Sequence, residues 1–313
     1  MRTIELAYPL PQTIEFEPCA LAIGYFDGVH LGHSRVIQKA MDVAHQKELK
    51  SAVMTFDPHP REVLGRSGYT RYLTPLDEKL EQFEKLGVDI VYVMKFDIPF
   101  SSIYPEEFIN ECLLPLQCRH VVVGFDYTFG YRGTGTAQTL QEMSAGRYGM
   151  DIVGPVNRLG EKVSSTIIRE YLHNGDVEQA RHLLGRPYKV KGVVVHGDKR
   201  GRTIGFPTAN VAVDKPYLIG KNGVYGVRIH VGGKTYYGVM NIGIKPTFEL
   251  EKKEKSLEVH MFDFHDTIYG ERVEVELLFM LRDEQKFAGV DPLIAQIKKD
   301  VAEAKEKLAT QRY

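Results

Sequence analysis

The chain is poor in cysteine and has no excess of either charge. Its three cysteines, Cys19, Cys112 and Cys118, form no C-x-x-C pair, which argues against a disulfide framework or a zinc ribbon. Forty Lys and Arg stand against 41 Asp and Glu, a formal net charge of -1. That argues against a general nucleic-acid-binding surface and leaves room for a local basic site for a small anion. No apolar run reaches the roughly 18 residues of a membrane span, and the opening MRTIELAYPLPQ lacks the apolar core of a signal segment. There is no G-x-x-x-x-G-K-[ST], so no P-loop, and no G-x-G-x-x-G, so no dinucleotide turn of the usual kind. These absences predict a reduced, soluble, cytoplasmic protein with neither nucleic acid nor membrane as partner; a monomer or weak self-association is expected.

What is present divides in two. At 313 residues the chain has room for about two domains. The first part alternates strand and helix patterns: strands at 20–25, 51–56, 89–94, 121–123 and 151–154, helices at 33–48, from the Thr74-Pro75-Leu76-Asp77 start, at 105–114 and around 138–145. Such alternation implies a doubly wound, Rossmann-like parallel sheet, whose ligands bind beyond the carboxyl ends of the strands. A further helix spans 166–184, interrupted near Asn174-Gly175. After Gly185-Arg186-Pro187 the pattern becomes strands at 189–195, 224–231, 234–240, 256–262 and 272–280, with Gly232-Gly233 as a hairpin turn and one helix at 291–308. Five or six antiparallel strands and a terminal helix predict a small β-barrel. The boundary falls at about 186, giving domains 1–186 and 187–313.

The stretch GYFDGVHLGH, residues 24–33, follows the strand at 20–25. Gly24, Gly28 and Gly32 let the backbone turn tightly, and the N–H groups of the following helix form an anion site. His30 and His33 add two imidazoles. A phosphate attacking the α-phosphorus of ATP needs no general base, only positive charge and hydrogen-bond donors around the phosphates. The same spacing also suits a surface pair, or two metal ligands with Asp27 and His59 as further donors.

The stretch resembles the G-x-F-D-G-x-H-x-G-H signature of the adenylyltransferase module of prokaryotic FAD synthetases, members of the HxGH nucleotidyltransferases. GFDYTFG at 124–130 is similar to that family's G-x-D-F-x-F-G, with Tyr127 keeping an aromatic ring, and SSTIIR at 164–169 is similar to its serine/threonine–arginine phosphate motif. The resemblance implies that Gly24, Phe26, Asp27, Gly28, Gly32, Ser164, Ser165, Thr166 and Arg169 hold nucleotide, and that His30 and His33 stabilise phosphate charge. It implies that His59, Asp126, Tyr127 and Phe129 shape a flavin pocket. Read without it, SSTIIR is a capped helix start and Phe129 packs a strand end.

HGDKRGRTIGFPTAN, residues 196–210, brings Gly197, Gly201 and Gly205 beside Lys199, Arg200 and Arg202, so that the backbone wraps closely around an anion. Thr208 and Asn210 lie two apart and share a face if extended; their neutral oxygens suit Mg²⁺ carried with ATP. Glu258 alternates against Leu257 and Val259, where a carboxylate can take a proton from an attacking alcohol, or simply face solvent. GRTIGFPTAN, NGVYGV, NIGIKPTF and LEVHMFDF resemble bacterial riboflavin kinases. The order of the two halves resembles that of the bifunctional riboflavin kinase/FAD synthetases. This implies Thr208 and Asn210 as Gly-loop-supported ligands of Mg-ATP, Glu258 as base on the ribityl 5′-hydroxyl, and Arg282, Glu284 and Phe287 over the flavin. It makes riboflavin, FMN and ATP the small-molecule substrates and FAD the end product. The rivals are a chain with one module silent and a non-catalytic flavin-binding protein.

Overall fold

The computed structural model describes residues 1–65, 71–197, 201, 204–244 and 255–310. The chain forms two compact units, Met1–Ser165 and Thr166–Tyr313.

The first unit is built on strands β1 (Arg2–Leu6), β2 (Cys19–Ile23), β3 (Lys50–Asp57), β4 (Ile90–Lys95), β5 (Cys118–Gly124) and β8 (Gly149–Val153), which form a sheet of order β1-β4-β3-β2-β5-β8. Every pairing is parallel. β2 reads CALAI and is buried throughout, as a strand covered on both faces must be. Leu21 and Ile23 face one core, with Met54, Tyr92 and Val121, while Ala22 faces the other, with Val53, Val91 and Ile37. Ile37 lies on α1 (Leu31–Gln46), whose buried residues Val36, Ile37, Ala40, Val43 and Ala44 keep helical spacing.

The chain leaves β2 to one side for β3 and β4, then returns to the other side for β5. The carboxyl end of β2 is therefore the switch point at which such sheets bind ligands. The three strand ends there carry the segments GYFDGVHLGH, TFDPHP and GFDYTFG.

Three local expectations differ. β1 was not foreseen; five residues of RTIEL give little periodicity, and the parallel pairing with β4 fixes them. The Thr74–Asp77 start yields α3 (Leu76–Leu86), but Pro75 is its N-cap with no side-chain bond. Thr74 instead donates its backbone N–H to Asp27. The helix expected at 105–114 is a short α5 (Pro105–Glu107), following α2 (Pro60–Val63) and α4 (Ile98–Ser101), and it widens into a π-turn over Phe108–Leu113. Short pieces complete the unit: β6 (Thr128–Phe129) and β7 (Gly135–Thr136) pair, α6 spans Ala137–Glu142, and β9 (Asn157–Arg158) pairs with β10 (Glu161–Lys162).

The second unit opens with α7 (Ser165–Asn174), of which Ser165 closes the first unit, and α8 (Val177–Leu184); Gly175, φ 90°, makes the break between them. Strands β11 (Tyr188–Val195), β12 (Ala209–Val213), β13 (Gly223–Val231), β14 (Lys234–Ile244), β15 (Lys255–Met261) and β16 (Arg272–Asp283) close into an antiparallel barrel of order β11-β12-β15-β14-β13-β16. Val190, Tyr225, Val227, Met240, Val259 and Val275 are buried to 1% or less and fill it. Gly232 and Gly233, both at positive φ, turn β13 into β14, as a two-residue hairpin requires. Helix α9 (Val290–Thr310) lays Ala304, Val301 and Leu308 on the outer face of Val224, Val239, Leu278 and Phe279.

Candidate active sites

The turn after β2 is held in a backbone that side chains rarely adopt. Phe26 has φ 57°, Gly28 φ 89° and Val29 φ 40°. A β-branched residue at positive φ stores strain, which collects at functional sites. The Phe26 ring packs edge-on to His33, at 5.3 Å, and to Phe83, at 6.0 Å. It also lies over Gly24, where an added Cβ would come within 2.7 Å of it.

His30 is 5% exposed and is the N-cap of α1. Its Nδ1 accepts the His33 backbone N–H at 3.2 Å, so in the neutral ring the proton is assigned to Nε2. The His30 and His33 rings stack with centroids 3.5 Å apart at 18°. Gly32 permits this: its Cβ would meet His30 Cε1 at 3.1 Å. The result is two imidazole edges and the first-turn N–H groups of α1 at one place.

Asp27 does structural duty in the same turn. Asp27 is 4% exposed, and its carboxylate accepts the backbone N–H groups of Leu73 at 3.0 Å and Thr74 at 3.0 Å. Its carbonyl accepts the Ser165 hydroxyl at 2.8 Å. Asp27 thus joins its own turn, the lead-in to α3 and Ser165, the last residue of the first unit. Ser164 precedes α7, and Thr166 and Arg169 follow on it.

His59 is 8% exposed and caps α2, its Nδ1 accepting the Arg61 N–H at 2.9 Å. Its ring rests on Tyr25, with centroids 3.9 Å apart. Tyr25 was missed in the sequence. So was Lys79, 1% exposed, whose Nζ lies 3.9 Å from the Tyr25 ring centroid. No motif announced either. Past β5, Tyr127 and Phe129 stack at 5.8 Å and 10°, and Phe129 continues into the core against Phe108 at 5.3 Å. Burial pushes the Tyr127 phenol well above its ordinary pKa. Asp126 is exposed and ion-paired with Lys162 at 3.0 Å.

In the barrel, strand pairing assembles the second cluster. Asn210 on β12 pairs with Glu258 on β15, and Glu258 pairs in turn with Asn241 on β14. Register partners point to the same face. Leu257 and Val259 are buried in the barrel, so Asn210, Glu258 and Asn241 lie on its outer face. Asn241 was missed, although it opens NIGI. Gly197 backs directly onto the Asn210 amide, and Gly201 approaches Phe206 O and Thr208 Oγ1 so closely that a Cβ at either would collide. Gly205 has φ 85°. Lys199, Arg200 and Arg202 lie outside the described residues, as do the KPTF of NIGIKPTF and residues 251–254. Beside Thr208 a pocket of about 230 Å³ is lined by Ala209, Phe264, His265 and Tyr269 among others.

Arg282, at the end of β16, grips Asp300 of α9 through Nε at 2.9 Å and Nη2 at 2.8 Å, and lies 5.8 Å from the Phe287 ring. Glu284 is exposed, accepts from Asn222 at 3.1 Å and reaches toward Gly243 beside Asn241.

Residues 12–167 match the family model of FAD synthetase, and residues 184–308 that of riboflavin kinase. A Bacillus subtilis protein named bifunctional riboflavin kinase/FMN adenylyltransferase is 46% identical over 307 residues, covering 97% of each chain. This chain belongs to the bifunctional riboflavin kinase/FMN adenylyltransferases. A Listeria monocytogenes member is 47% identical over 303 residues, 96% of each chain. A Streptococcus pneumoniae crystal structure, of a protein called a macrolide-efflux protein, shares 33% identity and a TM-score of 0.89 over 100% of both chains. Efflux is that protein's designation; among the described residues of this family member no helix is long and apolar enough to cross a membrane.

Proposed function

We propose that the chain makes FAD from riboflavin in two ATP-dependent steps, divided between residues 187–313 and residues 1–186. The observation that carries this reading is that one chain, 46% identical to a named bifunctional enzyme, holds both clusters ready-assembled. One is the stacked His30–His33 pair at a helix N-terminus and the other the Asn210–Glu258 strand pair beside Thr208.

In the kinase, Glu258 takes the proton from the ribityl 5′-hydroxyl as its oxygen attacks the γ-phosphorus, giving FMN and ADP. Thr208 and Asn210 offer a hydroxyl and an amide oxygen, a hard neutral donor set that fits Mg²⁺ beside a carboxylate. When bound, Mg²⁺ neutralises phosphate charge. Gly197, Gly201 and Gly205 bring the backbone close to the nucleotide. Arg282, Glu284 and Phe287 are assigned to the flavin, Arg282 with its fork already held by Asp300.

In the adenylyltransferase, a phosphate oxygen of FMN attacks the α-phosphorus of ATP and pyrophosphate leaves. The nucleophile is already anionic, so no base is needed. His30, through Nε2–H, and His33 donate to the phosphate charge, together with the amide groups at the start of α1. Gly24, Phe26, Asp27, Gly28 and Gly32 are assigned to the nucleotide at that turn, and Ser164, Ser165, Thr166 and Arg169 to its phosphates. His59, Asp126, Tyr127 and Phe129 are assigned to the flavin. Mg²⁺ accompanies ATP here also. The reading extends to a cytoplasmic enzyme of small molecules, monomeric or weakly self-associating, without nucleic acid or membrane partners.

Two variants separate the halves. Glu258→Gln lowers riboflavin phosphorylation by about 10²–10⁴-fold while supplied FMN is still converted to FAD. His30→Ala lowers FAD formation by about 10²–10³-fold and spares FMN formation. Loss of both reactions in either variant, or of neither, contradicts the division.

A further inference from the structure

Lys79 lies in the first turn of α3 and none of the roles above employs it. A cation at a helix N-terminus stands at the unfavourable end of the macrodipole. A buried lysine is rare unless its charge is met. An apolar side chain of similar volume would fill the space without either cost.

The ammonium is met on a specific set of atoms. Nζ donates to the Tyr25 carbonyl at 3.0 Å and to Thr55 Oγ1 at 3.1 Å, and Thr55 Oγ1 donates to the same carbonyl at 2.9 Å. Nζ also sits 3.9 Å from the Tyr25 ring centroid, within cation–π range. The carboxylates of Asp27 and Asp57 attract it, against the desolvation that opposes its charge. Three elements meet here: the residue two beyond β2, a residue of β3 and the first turn of α3. Tyr25 immediately precedes Phe26, where the strained turn begins, and its ring supports His59 at 3.9 Å.

We propose that Lys79 is a positioning residue for adenylyl transfer: its ammonium fixes the Tyr25 carbonyl and ring, and through them the turn that presents His30 and His33 and the surface on which His59 rests. The proposal rests on the reading of the first unit as an FMN adenylyltransferase. The cation touches no reacting atom. It holds one carbonyl against the recoil of a backbone that Phe26 and Val29 keep at positive φ.

The test is Lys79→Met and Thr55→Val in the full chain, with both reactions assayed in the same preparation. Lys79→Met lowers kcat for FAD formation from FMN by at least about tenfold, within the hundredfold that an ångström of misplacement can cost. KM for ATP changes less, and riboflavin phosphorylation keeps its wild-type rate. Thr55→Val removes one member of the clamp and lowers the same kcat by a smaller factor. It decides the matter alone if the lysine variant does not fold. A merely structural lysine would lower the unfolding midpoint and leave kcat of the folded protein unchanged. Values of kcat within about twofold of wild type in the folded variants overturn the proposal. A wild-type protein that makes no FAD from supplied FMN overturns the underlying reading instead.

Discussion

Gly32 shows how one missing Cβ shapes a site. A methyl there would meet the His30 ring at 3.1 Å and 3.2 Å from Nδ1. The ring must then give by a few tenths of an ångström, which strains both its cap bond to His33 N–H and its stack on the His33 ring. Gly32→Ala is therefore expected to lower FAD formation on the order of tenfold or more, because one phosphate donor is misdirected, while the fold and riboflavin phosphorylation persist. Steady-state rates of both reactions check this, and an unchanged FAD rate contradicts it. Lys79 offers a second test at this scale. Burial lowers its ammonium from 10.5 to about 8, despite Asp27 and Asp57. Between those values the unfolded chain binds the proton that the folded chain has shed. By linkage its contribution to stability is full above 10.5 and is lost as pH falls to about 8. Denaturant unfolding of the first unit at several pH values therefore shows the wild type gaining on Lys79→Met as pH rises through that window. A pH-independent difference contradicts the burial of a titrating amine. The histidines and glycines were legible in the sequence because their spacing is a local property. Lys79, Tyr25 and Asn241 were not, because their significance lies in what strand pairing and helix docking bring beside them.

At the scale of elements, strand ends and strand pairs do the assembling. The segments after β2, β3 and β5 meet because the sheet order puts those three strands side by side, and their alternation with helices was enough to foresee a parallel sheet. Asp27, expected among the nucleotide residues, also accepts the Leu73 and Thr74 amides, a long-range tie that no spacing encodes. Thr74 stands one residue before Pro75, which holds the N-cap position of α3. In the barrel, α9 is anchored by the Arg282–Asp300 fork, with Asp300 4% exposed and also accepting from Gln296 at 2.8 Å. Removing one partner of a buried pair leaves the other charge uncompensated, so Asp300→Ala is expected to cost the barrel about 3–5 kcal/mol. It should also loosen Arg282 and raise KM for riboflavin. Urea unfolding checks the first effect and kinase kinetics the second; a stability within about 1 kcal/mol of wild type contradicts the account.

At the scale of the whole molecule, the architecture changes from a parallel α/β sheet, whose last strand ends at Val153, to a closed antiparallel barrel, whose first strand begins at Tyr188. The two compact units divide between Ser165 and Thr166, so α8 and all of α7 past Ser165 belong with the barrel unit; their helical pattern alone does not reveal which core they serve. The product of the second unit's proposed reaction, FMN, is the substrate of the first unit's. Incubating the pure protein with riboflavin, ATP and Mg²⁺ and separating the flavins over time tests that order most directly. The account predicts FMN rising first and FAD following at its expense; FMN accumulating with no FAD, or riboflavin remaining bound and unconverted, would contradict it.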